Sequence, residues 1–261
     1  MYKISEPIIF DTIDLNTVPG IIITGYSTYN PPSNNLSIAA IALDNRSMTV
    51  SRNEQAKKII ISGLIIRTDR IFLETSLDTL NGIIKKINKL LNVPLRNSRY
   101  EFRNVSYSNM VIEDVKGGMA KFSIEFICSD PYSYDTLLTT ALPSTNITGI
   151  PQSLLVNFTG NTEQVPIITI NAFVLEPETT EKSITITNPV TNESVSINRV
   201  FTDGEVIIFN CDTRKITVNG IDVDYSGILF EVNPTVTALT INDTFTTRNF
   251  NIKIEYYKRF I

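Results

Sequence analysis

The second half of the chain alternates apolar and polar residues with a period of two, and this pattern constrains its fold most. Ile184 and Ile186 alternate with threonines, and Val195 and Ile197 alternate with serines. Successive side chains of a strand point to opposite faces, so each stretch predicts a strand with one buried face. Short strands separated by regular turn signals predict a β-sandwich.

A hairpin signal lies inside this β-rich half. Asn219-Gly220 stands between Ile216 and Val218 on one side and Ile221 and Val223 on the other. Both residues of a type I′ turn need a positive φ, which asparagine and glycine tolerate. The alternating apolar residues then continue to the end of the chain, at Leu239, Ile241, Phe250, Ile252, Ile254 and Tyr256. We therefore predict strands up to the C-terminus.

The first half predicts strands around a single amphipathic helix. An apolar stripe of helical spacing runs through Leu73, Leu77, Leu80, Ile84, Ile87 and Leu91. Thr75 with Asp78 is a capping-box start and Pro94 marks an end, so the predicted helix spans about 75–91. A helix of this kind should pack across one face of a sheet.

Strand patterns flank the predicted helix on both sides. Residues 59–66 form a β-branched apolar run, and Gly63 in its middle is typical of a bulge. Phe122–Cys128 alternates strictly, and Gly117-Gly118 before it predicts a hairpin. Residues 137–153 show no period and are interpreted as a linker. The predicted domains are therefore 1–140 and 141–261.

Composition removes several classes of function. The 261 residues contain no histidine, which excludes the commonest general base and every Ser-His or Cys-His nucleophile pair. Lys plus Arg number 23 against 27 Asp plus Glu, a net charge of −4, whereas proteins that grip nucleic acid usually carry a basic excess. Residues 1–10 do not resemble a signal peptide, and no segment reaches the length of a membrane span.

Carboxylate pairs, Ser-Lys pairs and all-oxygen metal sites remain possible in a chain without histidine. Asp11 with Asp14, and Asp222 with Asp224, are close enough in sequence to pair, but carboxylates beside turns are usually solvated. Asp203-Gly204 is a turn without the spaced oxygen ligands of a calcium site. No phosphate loop, dinucleotide fingerprint or Cys/His metal spacing is present. The sequence predicts no catalytic, cofactor-binding or metal-binding residue, and no enzyme.

Three tyrosines and two cysteines are the other side chains that could bind a ligand or form a cross-link. Tyr225, Tyr256 and Tyr257 could stack on a sugar, but the chain has no tryptophan, and strand residues with polar tips are the simpler interpretation. Cys128 and Cys211 lie in strand-like stretches, where buried reduced thiols are favoured over one disulfide.

The order of these segments resembles the distal tail proteins of siphophages that infect Gram-positive hosts. The resemblance is carried by 60–65, the leucine-striped helix, 122–132, 158–170, 184–188, 203–208, 215–220 and 252–260. It implies an N-terminal ring-forming β domain with one helix, followed by a galectin-like β-sandwich. The implied fold class is mainly β.

The resemblance also implies a function in the virion. Six copies would form a ring at the distal end of the tail, made in the host cytoplasm. The ring would join the tail tube protein and tape-measure protein to the tail-associated hub protein and the receptor-binding proteins. DNA would pass through its lumen only as cargo, without membrane insertion. The alternatives are another tail or baseplate component such as a tube protein, a carbohydrate-binding sandwich, and a glycosidase.

Overall fold

Two separate hydrophobic cores divide the chain into two compact units, Met1–Thr136 and Leu137–Phe260. The computed structural model describes residues 4–27, 34–40, 47–54, 56–95, 98–171 and 180–260. Each unit is mainly β, and the described residues contain one α-helix, so the predicted fold class is confirmed.

The first unit is a β-sheet structure with one helix. Its strands are β1 Ile9–Phe10, β2 Ile13–Asp14, β3 Ile21–Ser27, β4 Asn34–Ala40, β5 Ser47–Glu54, β6 Lys57–Ile66, β7 Lys89–Leu95, β8 Ser98–Lys116 and β9 Met119–Cys128. Strand β10, Ser133–Ile147, contains the division between the units. The helix α1 is Arg70–Ile84, and a 3₁₀ turn spans Leu15–Thr17.

Four strands form the main sheet of this unit, in the order β3-β6-β9-β8. The long strand β8 also pairs through its first half with β7, which continues to β1 and β2. β6 buries every second residue from Lys57 to Ile65 and β9 every second residue from Ala120 to Cys128, so one face of the sheet is packed against the core. Leu73, Leu80 and Ile84 of α1 are buried in the same core.

The helix is shorter and begins earlier than predicted. Asp69 is its N-cap, because its carboxylate accepts a hydrogen bond from Phe72 N at 3.0 Å, whereas Thr75 already lies inside the helix. The helix ends before Lys85, and Ile87 is 71% exposed. Leu91 belongs to β7, where it is buried by strand alternation. Its distance from Ile84 matched the helical period by coincidence.

Gly63 is required for close packing rather than for a bulge of its own strand. The register shift lies in β3, between Ile23 and Gly25, opposite Gly63 and Ser62. A Cβ atom on Gly63 would lie 2.6 Å from Ile22 O and 2.6 Å from Phe122 Cζ. The neighbouring backbone and ring therefore leave no room for a side chain.

The predicted linker is wrong over most of its length. Residues 137–147 continue β10, and β11 begins at Gln152, so only 148–151 lie between strands. β10 is exposed or half-buried along most of its length, and a strand without one buried face has no visible period of two. The hairpin predicted at Gly117-Gly118 does join β8 to β9.

The second unit consists of two sheets around one core. Its strands are β11 Gln152–Asn157, β12 Ile167–Asn171, β13 Lys182–Asn188, β14 Glu193–Arg199, β15 Ile207–Asn210, β16 Lys215–Val218, β17 Ile221–Val223, β18 Ser226–Gly227, β19 Val236–Asp243 and β20 Phe250–Phe260. One sheet has the order β17-β16-β15-β12-β20-β10, and the other has the order β11-β19-β13-β14-β18. Ile170 and Ile254 of the first sheet share a core with Ile186 and Ile241 of the second.

The hairpins of this unit form as the turn residues predicted. β16 and β17 pair across Asn219-Gly220, whose φ angles are +49° and +81°. Phe250, Ile252, Ile254 and Tyr256 all point into the core from β20.

A buried glutamine fastens the last strand to two loops. Gln164 is fully buried; its Oε1 accepts from Arg259 N at 2.8 Å, and its Nε2 donates to Arg259 O at 3.2 Å and to Thr162 O at 2.6 Å. Its backbone forms two hydrogen bonds with Val232. Gly160 makes room for this amide, since a Cβ there would lie 2.4 Å from Nε2.

Candidate assembly surface

The carboxylates considered for catalysis serve structural roles in the first unit. Asp11 forms ion pairs with Lys86 at 2.7 Å and Lys89 at 3.3 Å, and the hydrogen bond from Lys86 lowers the pKa of its carboxyl group. Asp14 caps the 3₁₀ turn by accepting a hydrogen bond from Asn16 N at 2.9 Å. Neither aspartate faces the other across a cleft.

The acidic pair of the second unit is also separated by its partners. Asp222 forms an ion pair with Lys215 across the β16–β17 hairpin, and Asp224 is exposed beyond it. Asp203 is exposed in a turn in which Gly204 has a φ of +78°. Within the described residues, no three acidic or cysteine side chains converge as metal ligands.

The three tyrosines considered for sugar stacking differ in their exposure. Tyr256 is fully buried, and its hydroxyl oxygen accepts a hydrogen bond from Thr159 N at 2.8 Å. The Tyr225 hydroxyl donates to Arg214 O at 3.3 Å, and Tyr257 is half-buried on β20. The ring of Tyr256 is therefore unavailable for stacking on a ligand.

Both thiols are buried and free, one in each unit. Burial raises the pKa of Cys128 to about 12 and that of Cys211 to about 12. A thiol of this kind is protonated at neutral pH and is a poor nucleophile.

No helix in the described part of the chain is long and apolar enough to cross a membrane.

The main sheet of the first unit has two free edges. Beyond Ser108, β8 pairs only with β9, so one side of residues 109–116 meets no other strand of the described chain. At the opposite edge of the sheet, β6 is the one described strand that pairs with β3, and among the described residues the other side of β3 receives one backbone hydrogen bond, from Ile4 N to Ile23 O at 3.0 Å. Unpaired strand edges are ready to pair with another chain.

The β8 edge is long and carries exposed apolar side chains as well as the charged residues Glu113, Asp114 and Lys116. Val111 is 44% exposed, Ile112 38% and Val115 52%. Exposed apolar side chains beside an unpaired strand edge suit contact with another chain, whereas the charged residues and the register shift between Glu113 and Lys116 limit strand pairing at the far end of this edge. Sequence reasoning missed this surface, although the apolar residues Val111 and Ile112 are adjacent and cannot both face one core, which was the available signal.

Two glutamates, Glu163 and Glu231, interact near the buried Gln164. Glu231 forms ion pairs with Arg259 at 3.3 Å and with Arg214 at 3.5 Å. Glu163 has its pKa raised, mainly by burial and further by a hydrogen bond with Glu231 and the negative charge of that neighbour. Ionisation of Glu163 is therefore less favourable in the folded chain than in a solvated glutamate.

This pair makes the stability of the second unit depend on pH. The pKa of Glu163 is higher in the folded than in the unfolded chain, so its stabilising contribution is present at low pH and is lost as the pH rises through the folded pKa. Glu163→Gln, which keeps the hydrogen bond and cannot ionise, should match the wild type near about pH 4 and exceed it near about pH 8. Urea unfolding at both pH values measures this difference. Equal stability gaps at both would contradict the assignment.

The second unit is the part of the chain that a family model matches. Residues 159–260 match the family model of the siphovirus-type tail component, C-terminal domain. This stretch spans most of the second unit, which is therefore similar in sequence to that tail-component domain.

The chain as a whole has the fold of the Dit protein (gp 19.1) of phage SPP1. That crystal structure is described as a paradigm of the hub adsorption apparatus in Gram-positive-infecting phages. The alignment covers 98% of this chain and 99% of that one, with a TM-score of 0.72 and 16% identity. The resemblance to distal tail proteins predicted from the sequence is confirmed.

Two structures of the phage P2 baseplate in its activated conformation are more distantly similar. The structures with Ca and with Sr each align over 92% of this chain and 92% of theirs, with a TM-score of 0.44. Their sequence identities are 12% and 14%. No curated protein matches the sequence.

Proposed function

We propose that this chain is a structural protein of the phage tail tip that acts by assembling, without catalysing a reaction. Six copies form a ring at the distal end of the tail. The ring joins the tail tube and the tape-measure protein to the hub and receptor-binding proteins, and DNA passes through its lumen. The protein is made in the host cytoplasm and functions in the virion.

The observation that carries this proposal is the fold match over almost the full length of both chains. SPP1 Dit aligns with both units of this protein in one alignment, and the family model independently covers the second unit. A shared fold alone does not define a function, so the proposal also needs a surface suited to assembly.

The free edges of the first unit supply that surface. β3 and the second half of β8 lie on opposite sides of one four-stranded sheet. A contact between the β8 edge of one copy and the β3 edge of the next is head-to-tail, and such a contact closes into a ring when its rotation divides a full turn. Permanent interfaces of this kind usually bury more than about 2,000 Å².

The charge of the chain agrees with a passage for DNA. A strongly basic lumen would hold phosphates and slow their passage, whereas the net charge here is −4. In the proposed assembly the ring is hexameric and the second unit is a galectin-like β-sandwich. Carbohydrate binding by the second unit is less well supported, because Tyr256, one of the three tyrosines considered for stacking on a sugar, is buried.

A charge placed on the β8 edge should disrupt the ring. Val111→Lys inserts an ammonium group into an apolar contact between strands, and we expect association to weaken at least about tenfold, which corresponds to about 1.4 kcal/mol per contact. Native mass spectrometry and negative-stain microscopy of the full-length protein measure the effect. The wild type should give rings of six copies, and the variant mainly monomers.

Val190→Lys is the matched control for this experiment. It introduces the same charge at a valine of the second unit that is 67% exposed, and should leave the rings intact. A wild-type protein that stays monomeric at high concentration and in the presence of tails would overturn the proposed function. Intact Val111→Lys rings would overturn only the assigned edge.

A further inference from the structure

An exposed apolar cluster with an uncompensated arginine lies at one end of the first unit's main sheet. We define this tip cluster by Ile66, Phe72 and Met119 together with Arg67. The three apolar side chains are 42%, 49% and 50% exposed. Ile66 and Met119 are direct partners on β6 and β9, and Phe72 belongs to the first turn of α1.

Arg67 is held in place at the tip by backbone contacts. Its N–H donates to Gly118 O at 2.7 Å, and its side-chain stem crosses Gly20, where a Cβ would lie 2.5 Å from Arg67 Cδ. The guanidinium carbon lies 5.4 Å from the centre of the Phe72 ring. The side chain is therefore ordered before any partner arrives, which lowers the entropic cost of binding.

The guanidinium lacks an acidic partner within the described chain. Arg67 makes no ion pair there, and its Nε is buried without a hydrogen-bond acceptor. The neighbouring Arg70 is paired with Glu74 at 3.0 Å, and the nearby Asp69 caps the helix. A preordered guanidinium beside apolar surface is suited to receive a carboxylate, because the two groups match in charge and fork geometry.

The position of the tip cluster indicates which kind of partner it meets. The free edges run along the sides of β3 and β8, whereas the tip cluster lies at the strand ends, where β6 ends and β9 begins. It adjoins the last residue of the β8 edge, because Met119 pairs with Lys116. In a ring closed through the edges, neighbouring copies lie beside the sheet. The ends of its strands are then not covered by these copies and can contact the next protein along the tail.

We infer that the tip cluster is the contact between this ring and the next protein along the tail axis, a partner that offers apolar side chains and a carboxylate for Arg67. This inference rests on the proposed ring. It assigns ring closure to the sides of the sheet and stacking along the tail to the adjoining strand ends. A substitution at the tip should therefore leave the ring whole while preventing its incorporation.

Complementation of a phage that lacks this gene tests the inference with the full-length protein. Plasmids would supply the wild type, Arg67→Glu, Arg67→Lys or Met119→Glu, and the amount of this protein in purified virions would be measured. We expect Arg67→Glu and Met119→Glu to form normal rings in isolation but to enter virions at less than about a tenth of the wild-type level. Arg67→Lys keeps the charge without the fork and should be intermediate.

The outcomes separate the inference from the proposed function. Normal incorporation of both Arg67→Glu and Met119→Glu rings would overturn the role of the tip cluster while leaving the ring intact. Loss of the rings in both folded variants would also overturn it, because the tip would then belong to ring closure. Absence of wild-type protein from virions would instead defeat the proposed function. Circular dichroism of each variant confirms folding, and Met119→Glu serves if Arg67→Glu does not fold.

Discussion

Gly63→Ala is expected to lower the free energy of unfolding of the first unit by about 2–3 kcal/mol, although it adds a single methyl group. The new Cβ would lie 2.6 Å from Ile22 O, which belongs to the neighbouring strand's backbone, and 2.6 Å from the ring of Phe122. The ring is only 4% exposed, so it has little space into which to move. Either the β3–β6 pairing must open or the core must repack.

The measurement needs to report on the first unit alone. Native-state hydrogen exchange of the amides of Ile61 and Ile124, in the centres of β6 and β9, gives the opening free energy of that sheet. Gly82→Ala is the matched control, because the same methyl group there meets no atom within 4 Å on an exposed position of α1. It should stabilise the protein by about 0.5 kcal/mol through helix propensity. Destabilisation of equal size in both variants would refute the steric explanation.

Gln164→Ala should lower the free energy of unfolding of the second unit by about 3 kcal/mol or more, because several buried polar groups lose a hydrogen-bond partner at once. The substitution leaves Arg259 N, Arg259 O and Thr162 O without the partners that the amide supplies. It also opens a cavity at a fully buried position. β20 should lose protection from hydrogen exchange toward its C-terminal end first.

Two controls separate the hydrogen bonds from the volume of this side chain. Gln164→Met fills the same space without polar atoms, and most of the loss should persist because the backbone N–H and C=O of Arg259 lose their hydrogen bonds to the amide. Gln152→Ala removes the same amide from a half-buried position and should cost less than about 0.5 kcal/mol. If Gln164→Met restored wild-type stability, packing and not hydrogen bonding would hold the strand.

Large parts of the assembly surface were beyond sequence reasoning. The alternation in Phe122–Cys128 predicted a strand with one buried face, but nothing in it specified which strands would pair with it. The free edges exist because β8 continues past its pairing with β7, and because no described strand covers β3. The tip cluster joins residues of β6, α1 and β9 that are up to 53 positions apart, Ile66 and Met119. Such surfaces depend on which strands are left unpaired after folding.

The sequence by itself determined the local structure wherever a physical period or a turn residue was decisive. Alternation defined β9, β13, β14 and β20, and Asn219-Gly220 defined a hairpin, because strand geometry and positive φ act on adjacent residues. Tertiary structure alone decided where the helix ends, that the exposed segment 137–147 is a strand, and that Gln164 fastens β20. Those outcomes depend on contacts between residues distant in the chain, and a local pattern carries no information about which distant partner will satisfy a buried donor or cover an edge.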